Sequence, residues 1–101
     1  MTTMTVWLAC DDTAIVGVMA CTEGWIEQLY VSEHFTGQGI GSALVTQAKL
    51  DAPHALELWT FVSNVGAQRF YERHGFVEVQ RTDGDNEEGE PDIRYRWVAR
   101  S

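Results

Sequence analysis

Six short stretches of the chain are rich in apolar and β-branched residues, and two others carry apolar residues at helical spacing. Thr5–Cys10 is an apolar run stopped by Asp11-Asp12-Thr13, and Ala14–Cys21 is a second, stopped by Thr22-Glu23-Gly24. Trp25–Val31 is a third. Short polar turns between them predict an antiparallel meander. Ile40, Leu44, Val45 and Ala48 then recur on one face of a helix predicted from Ser42 to about Ala52, with Pro53 behind it as a stop. Ala55–Val62 reads as a fourth strand. Asn64 is placed to cap a second helix, on which Ala67, Phe70, Tyr71 and His74 share a face. Gly75 suits the left-handed position after that helix. Phe76–Gln80 is a fifth strand, and the alternation of Ile93–Val98 predicts an edge strand with one wet face.

The resulting order, β-β-β-α-β-α-β-β, describes an α+β (α/β) chain with a mixed central sheet of about six strands. The third strand, first helix and fourth strand form a crossover unit, so those two strands are expected to run parallel. At the carboxyl end of the third strand, where open α/β sheets bind ligands, stands Thr36-Gly37-Gln38-Gly39-Ile40-Gly41-Ser42. Three glycines at alternate positions remove the Cβ atoms that keep a ligand from the backbone. Amides turned inward there form an anion-binding nest, and a helix starting at Gly41 or Ser42 adds unpaired N–H groups and a positive dipole end. A phosphate or pyrophosphate is the natural occupant.

Composition narrows the classes. The 101 residues, 45% hydrophobic and 22% charged, suit one domain spanning 1–101, large enough for a core without metal or disulfides. No apolar run approaches the roughly 20 residues that span a bilayer, and the N-terminus has no basic leader. A net charge of −8 argues against nucleic-acid binding and suits a cationic partner such as an amine, although six acids fall within Asp83–Asp92 as a solvated loop. A hairpin at Asp11–Ala14 puts Cys10 opposite Ile15 and Cys21 opposite a residue near Met4, about 20 Å apart at strand rise. Two reduced, buried thiols in a cytoplasmic protein are expected, and no Cys/His spacing of metal type occurs.

Leu29-Tyr30-Val31-Ser32-Glu33-His34-Phe35 with the glycine loop through Leu44, followed by Asn64 and Phe70-Tyr71-Glu72-Arg73-His74-Gly75-Phe76, resembles the GNAT N-acetyltransferase superfamily. The resemblance runs from about Ile15 to Val98. It implies the GNAT-like acyl-coenzyme A N-acyltransferase fold with a splayed parallel strand pair, and acetyl-coenzyme A as co-substrate without a metal. It also implies transfer of the acetyl group to a primary amine by direct attack on the thioester. The family's loop pattern (Gln or Arg, two residues, Gly, one residue, Gly or Ala) falls on Thr36, Gly39 and Gly41. Thr36 departs from it and predicts a weaker grip on the coenzyme. By the same resemblance Leu29, Tyr30 and Val31 lie along the pantetheine. A bulge near Gln28 would turn an amide near Leu29 or Tyr30 toward the acyl carbonyl, and Gly37, Gln38, Ile40 and Ser42 complete the phosphate contacts.

Each candidate has a plainer role beside the chemical one. Tyr71 matches the family tyrosine that protonates the departing thiolate; it also lies on an apolar helix face, as a core residue would. Asn64 matches the asparagine beside the pantetheine and is equally a helix cap. Glu27 alternates with Trp25, Leu29 and Val31, an apolar setting, so a bulge must re-aim it or its pKa must rise; it is a general base or a solvated carboxylate. Glu23, a turn residue, and His34, a loop residue, are weaker candidates, as is His74, whose imidazolium is expected at the helix C-terminus.

By the same resemblance the chain reads as a short member, in which the family's usual N-terminal strand and helices are not expected. The acceptor expected is a small-molecule or peptide amine, and the cleft is either open to a bulky amine such as a protein or peptide terminus, or covered by a second subunit in a homodimer closed over Trp7, Trp97 or a sheet edge. The alternative to an enzyme is a non-catalytic acyl-coenzyme A-binding module or regulatory subunit.

Overall fold

The computed structural model describes residues 4–12, 14–32, 39–52, 54–84 and 86–99. Its elements are β1 (Thr5–Asp11), β2 (Ala14–Thr22), β3 (Trp25–Val31), α1 (Ile40–Asp51), β4 (Ala55–Phe61), α2 (Val65–Arg73), β5 (Val77–Arg81) and β6 (Asp92–Val98). They form one six-stranded sheet of order β1-β2-β3-β4-β6-β5, in which β3 and β4 are the parallel neighbours. This is the mixed α+β sheet that the periodicity predicts.

Alternation sorts the side chains onto two faces. Met19, Ile26, Leu56, Leu58, Ile93 and Tyr95 from the strands meet Leu44, Val45 and Ala48 of α1, Tyr71 of α2 and Phe76 in one buried cluster. The two helices lie beside each other over it. A Cβ added to Gly41 would stand 3.1 Å from Cζ of Phe70, so a larger residue there would require the Phe70 ring to shift by a few tenths of an ångström. The opposite face carries Val6, Leu8, Tyr30 and Trp59, each more than 40% exposed.

Three sequence expectations are corrected. β6 is interior, between β4 and β5, and the edges are β1 and β5. Its buried Ile93 and Tyr95 do alternate with arginines, but one wet face is common to any antiparallel strand and does not mark an edge. The thiols are not buried: Cys10 is exposed near the end of an edge strand, and Cys21 is half-buried. They stand opposite Ile15 and Thr5 respectively and both are free, as the hairpin geometry predicts. Finally, α1 begins at Ile40, capped by Gly39, rather than at Gly41 or Ser42.

Leu58 is 1% exposed and Leu50 is 70% exposed. Leu58→Ala is expected to lower unfolding free energy by about 2–5 kcal/mol. Leu50→Ala should stay within about 0.5 kcal/mol. Urea denaturation of both variants checks this contrast.

Candidate functional site

The site begins where the sheet comes apart. β3 and β4 share a single register pair, Trp25 with Glu57, reinforced by the Glu57 amide donating to the carbonyl of Gly24 at 2.9 Å. Toward their carboxyl ends the two strands make no further ladder pair. On its other side β3 is paired with β2 along its length, and the Ser32 amide donates to the Val16 carbonyl at 2.8 Å. In an antiparallel ladder, bonded and non-bonded pairs alternate. Ser32 and Tyr30 therefore spend their backbone groups on β2, while Leu29 and Val31 turn theirs toward β4. Beyond the Trp25–Glu57 pair, those amides have no ladder partner on β4 among the described residues. A single extra residue, Glu27, separates Ile26, opposite Cys21, from Gln28, opposite Ala20. This bulge lies one residue before Gln28, where the family resemblance anticipates it, and the register beyond it directs the Tyr30 amide to β2 and the Leu29 amide away from it. The Tyr30 side chain is 62% exposed on the opposite face.

The bulge also settles the surroundings of Glu27. Its carboxylate is exposed and accepts a hydrogen bond from the Thr22 hydroxyl at 2.8 Å, out of the apolar row that strict alternation implies. Glu23 lies in the preceding turn and is exposed.

At the mouth of α1, Gly39 has φ of +78°, and among the described residues no atom beyond its chain neighbours lies within 4 Å of where its Cβ would stand. The chain thus enters the helix through a left-handed residue with open space beside it. The first helical bond runs from the Ala43 amide to the Gly39 carbonyl at 2.9 Å. The amides of Ile40, Gly41 and Ser42 precede it and have no partner within the helix. Gly41 has a second task, admitting Phe70. Thr36, Gly37 and Gln38, with His34, lie outside the described residues.

α2 positions the remaining candidates. Asn64 caps it, its Oδ1 accepting from the Ala67 amide at 3.1 Å. Tyr71 is 8% exposed, its ring edge-on to Phe70 at 5.2 Å and to Phe76 at 5.5 Å. Burial first, and then the nearby Cys21 thiol, push its phenol up to about 12. Cys21 is itself raised, by burial and then by Asp51 and Glu27.

His74 corrects an expectation. It ends α2, but burial, then Lys49 and Arg73, hold its imidazole below the ordinary value, which opposes the imidazolium expected there. Its Nε2 lies 3.0 Å from the Ser42 hydroxyl. Sequence reasoning missed this pairing because the two residues are 32 positions apart and neither belongs to a local motif that names the other.

The chain belongs to the GNAT acetyltransferase family: residues 2–78 match the acetyltransferase (GNAT) domain. It is 35% identical over 82 residues to an uncharacterized N-acetyltransferase of Methanocaldococcus jannaschii, covering 77% of this chain and 36% of the relative. It is 33% identical over 89 residues to N-alpha-acetyltransferase 30 of Schizosaccharomyces pombe, covering 74% of this chain and 59% of the relative. The chain therefore spans about one third to three fifths of these relatives' length. In fold it is similar to a putative streptothricin acetyltransferase from Bacillus anthracis, solved in complex with acetyl coenzyme A. That match has a TM-score of 0.89 at 24% identity, over 96% of this chain and 63% of the other.

A phenol raised in the folded state stabilises the fold fully below the unfolded value near 10. The contribution is lost as pH climbs toward about 12. Tyr95, raised to about 12 by burial and by donating to Glu72 at 2.9 Å, acts in the same direction. Unfolding free energy is thus expected to fall between pH 10 and 12, and less steeply in Tyr71→Phe. Denaturant titrations across that range provide the check.

Proposed function

We propose that this chain transfers an acetyl group from acetyl-coenzyme A to a primary amine, by direct attack of the amine on the thioester. The observation that carries the proposal is the parting of β3 from β4, which leaves the amides of Leu29 and Val31 without a ladder partner on β4 among the described residues. A pantetheine carries amide groups that can pair with such a strand edge. An amide N–H fixed beside the acyl carbonyl stabilises the oxyanion as it forms, without reorganisation. The mouth of α1, with left-handed Gly39 and the amides of Ile40, Gly41 and Ser42, suits the pyrophosphate. A structural neighbour of the same fold holds acetyl coenzyme A, which supports the same ligand here.

Tyr71 takes the role of donor to the departing sulfur. A phenol near 12 is fully protonated at neutral pH, but giving its proton outright to an alkyl thiolate, the weaker base of the two, is uphill. Its contribution is then a hydrogen bond to the thiolate, with the proton following from the ammonium product or water. Glu27, exposed at the bulge, attracts a cationic amine and is the candidate base. The name of the Schizosaccharomyces pombe relative favours a peptide α-amine as acceptor, and the proposal places the reaction in the cytoplasm.

Acetyl-coenzyme A titrated into folded protein should bind saturably, and a panel of peptide and small-molecule amines should raise thiol release over the unaided rate. Tyr71→Phe is expected to lower kcat by about 10²-fold or more, with coenzyme affinity within about threefold. Saturable binding with no amine accelerating thiol release supports the acyl-coenzyme A-binding module instead. Absence of binding overturns both readings.

A further inference from the structure

One polar contact joins the two helices at the mouth of α1. Ser42 Oγ and His74 Nε2 lie 3.0 Å apart and partly buried. Ser42 is the third residue of α1, and His74 follows α2 three residues after Tyr71. The Phe70 ring lies 4.7 Å from the imidazole and abuts Gly41, so the imidazole is confined from that side. Lys49 Nζ donates to the His74 carbonyl at 2.6 Å, fixing the backbone beneath it.

A serine hydroxyl has one proton to give. Where Nε2 accepts, that proton is spent on the ring. Where Nε2 carries hydrogen and donates, the Ser42 O–H is free to serve an anion at the first turn of α1. An anion there selects the second arrangement, and a protonated imidazole, which can only donate, enforces it. The charged groups bearing on the ring are Lys49 from α1 and Arg73 from α2; after burial, they lower its proton affinity in the free protein. From β6 it is the uncharged Trp97 that meets Gly75 next in the chain.

We propose that His74 is a positioning residue for the pyrophosphate of the coenzyme, directing the Ser42 hydroxyl toward it and taking up a proton when it binds. This rests on the acetyl-coenzyme A reading above. Linkage is reciprocal: an anion that raises the imidazole's proton affinity is itself bound more tightly as pH falls.

Coenzyme A binding to the full chain is to be followed by calorimetry from pH 8 to 5.5, in buffers of different ionisation enthalpy, for the wild type and His74→Gln. A one-unit rise of the imidazole pKa on binding corresponds to an affinity gain of up to about tenfold toward acid pH. The wild type should show this gain beyond His74→Gln, with proton uptake that the variant lacks. Titration of the coenzyme's own phosphates is common to both proteins and drops out of the difference. Should His74→Gln not fold, NMR titration of the His74 ring in the wild type, with and without coenzyme A, reads the same shift directly. Binding with equal pH profiles, or a ring that titrates identically in both states, overturns this inference alone. No binding at any pH overturns it together with the reading it rests on.

Discussion

A parallel sheet normally saturates the backbone groups between its strands, and here one pair of neighbours does so only at its root. The Trp25–Glu57 pair and the Gly24–Glu57 hydrogen bond pin β3 to β4. Everything distal to them is free to diverge. Unpaired backbone amides in an interior position are tolerated only when something else satisfies them, water or a ligand. The crossover helix α1 starts beside this opening and directs its own unpaired amides toward the same end of the sheet. Two independent sources of orphaned N–H groups therefore converge, one from a strand and one from a helix. That convergence separates a binding site from an ordinary imperfection in a sheet.

The rest of the structure holds the opening in place. On one side, β2 and β3 are locked by a full antiparallel ladder; on the other, β4 and β6 pair over seven residues, Ala55–Phe61 against Asp92–Val98. The Arg94–Glu57 ion pair ties β6 to the residue that anchors β3, so the root of the opening is fixed from both directions. Across the helices, the fit of Phe70 against Gly41 and the Ser42–His74 contact join the start of α1 to the end of α2. The mouth of α1 and the Tyr71 end of α2 are thereby parts of one packed unit.

Much of this was legible because it is local. Strand limits follow from runs bounded by Asp, Glu and Gly, and Asn64 declares itself a cap by position alone. Gly75, with φ of +85°, likewise follows from its place after α2. The parallel pair follows from a helix lying between two strands. What was not legible depends on partners distant in sequence. β6 carries the alternation of a half-wet strand whether inside or at an edge, and only β5 folding back beside it decides the matter. Cys10 looked buried because its own strand is apolar, yet no layer covers that end of β1. The lowered proton affinity of His74 comes from burial first and then from Lys49, 25 positions away, and no helix-dipole argument contains either.

Tyr71 shows the cost of serving the core and the chemistry at once. Its ring completes the cluster beneath α2, which explains its burial with no reference to catalysis. The same burial drives the phenol toward about 12 and so makes it a poor acid. A strong acid at this position would need water or a cation beside the hydroxyl, and either would open the core between Phe70 and Phe76. A neutral donor needs neither. The fold is thus compatible with a tyrosine that holds a thiolate by hydrogen bonding, and it opposes one that ionises. The negative charge of a leaving thiolate strengthens that preference, since it favours the protonated phenol just as the Cys21 thiol does. In the proposed reaction the burden of proton removal then falls on the exposed side, where Glu27 stands, and not on the buried side of Tyr71.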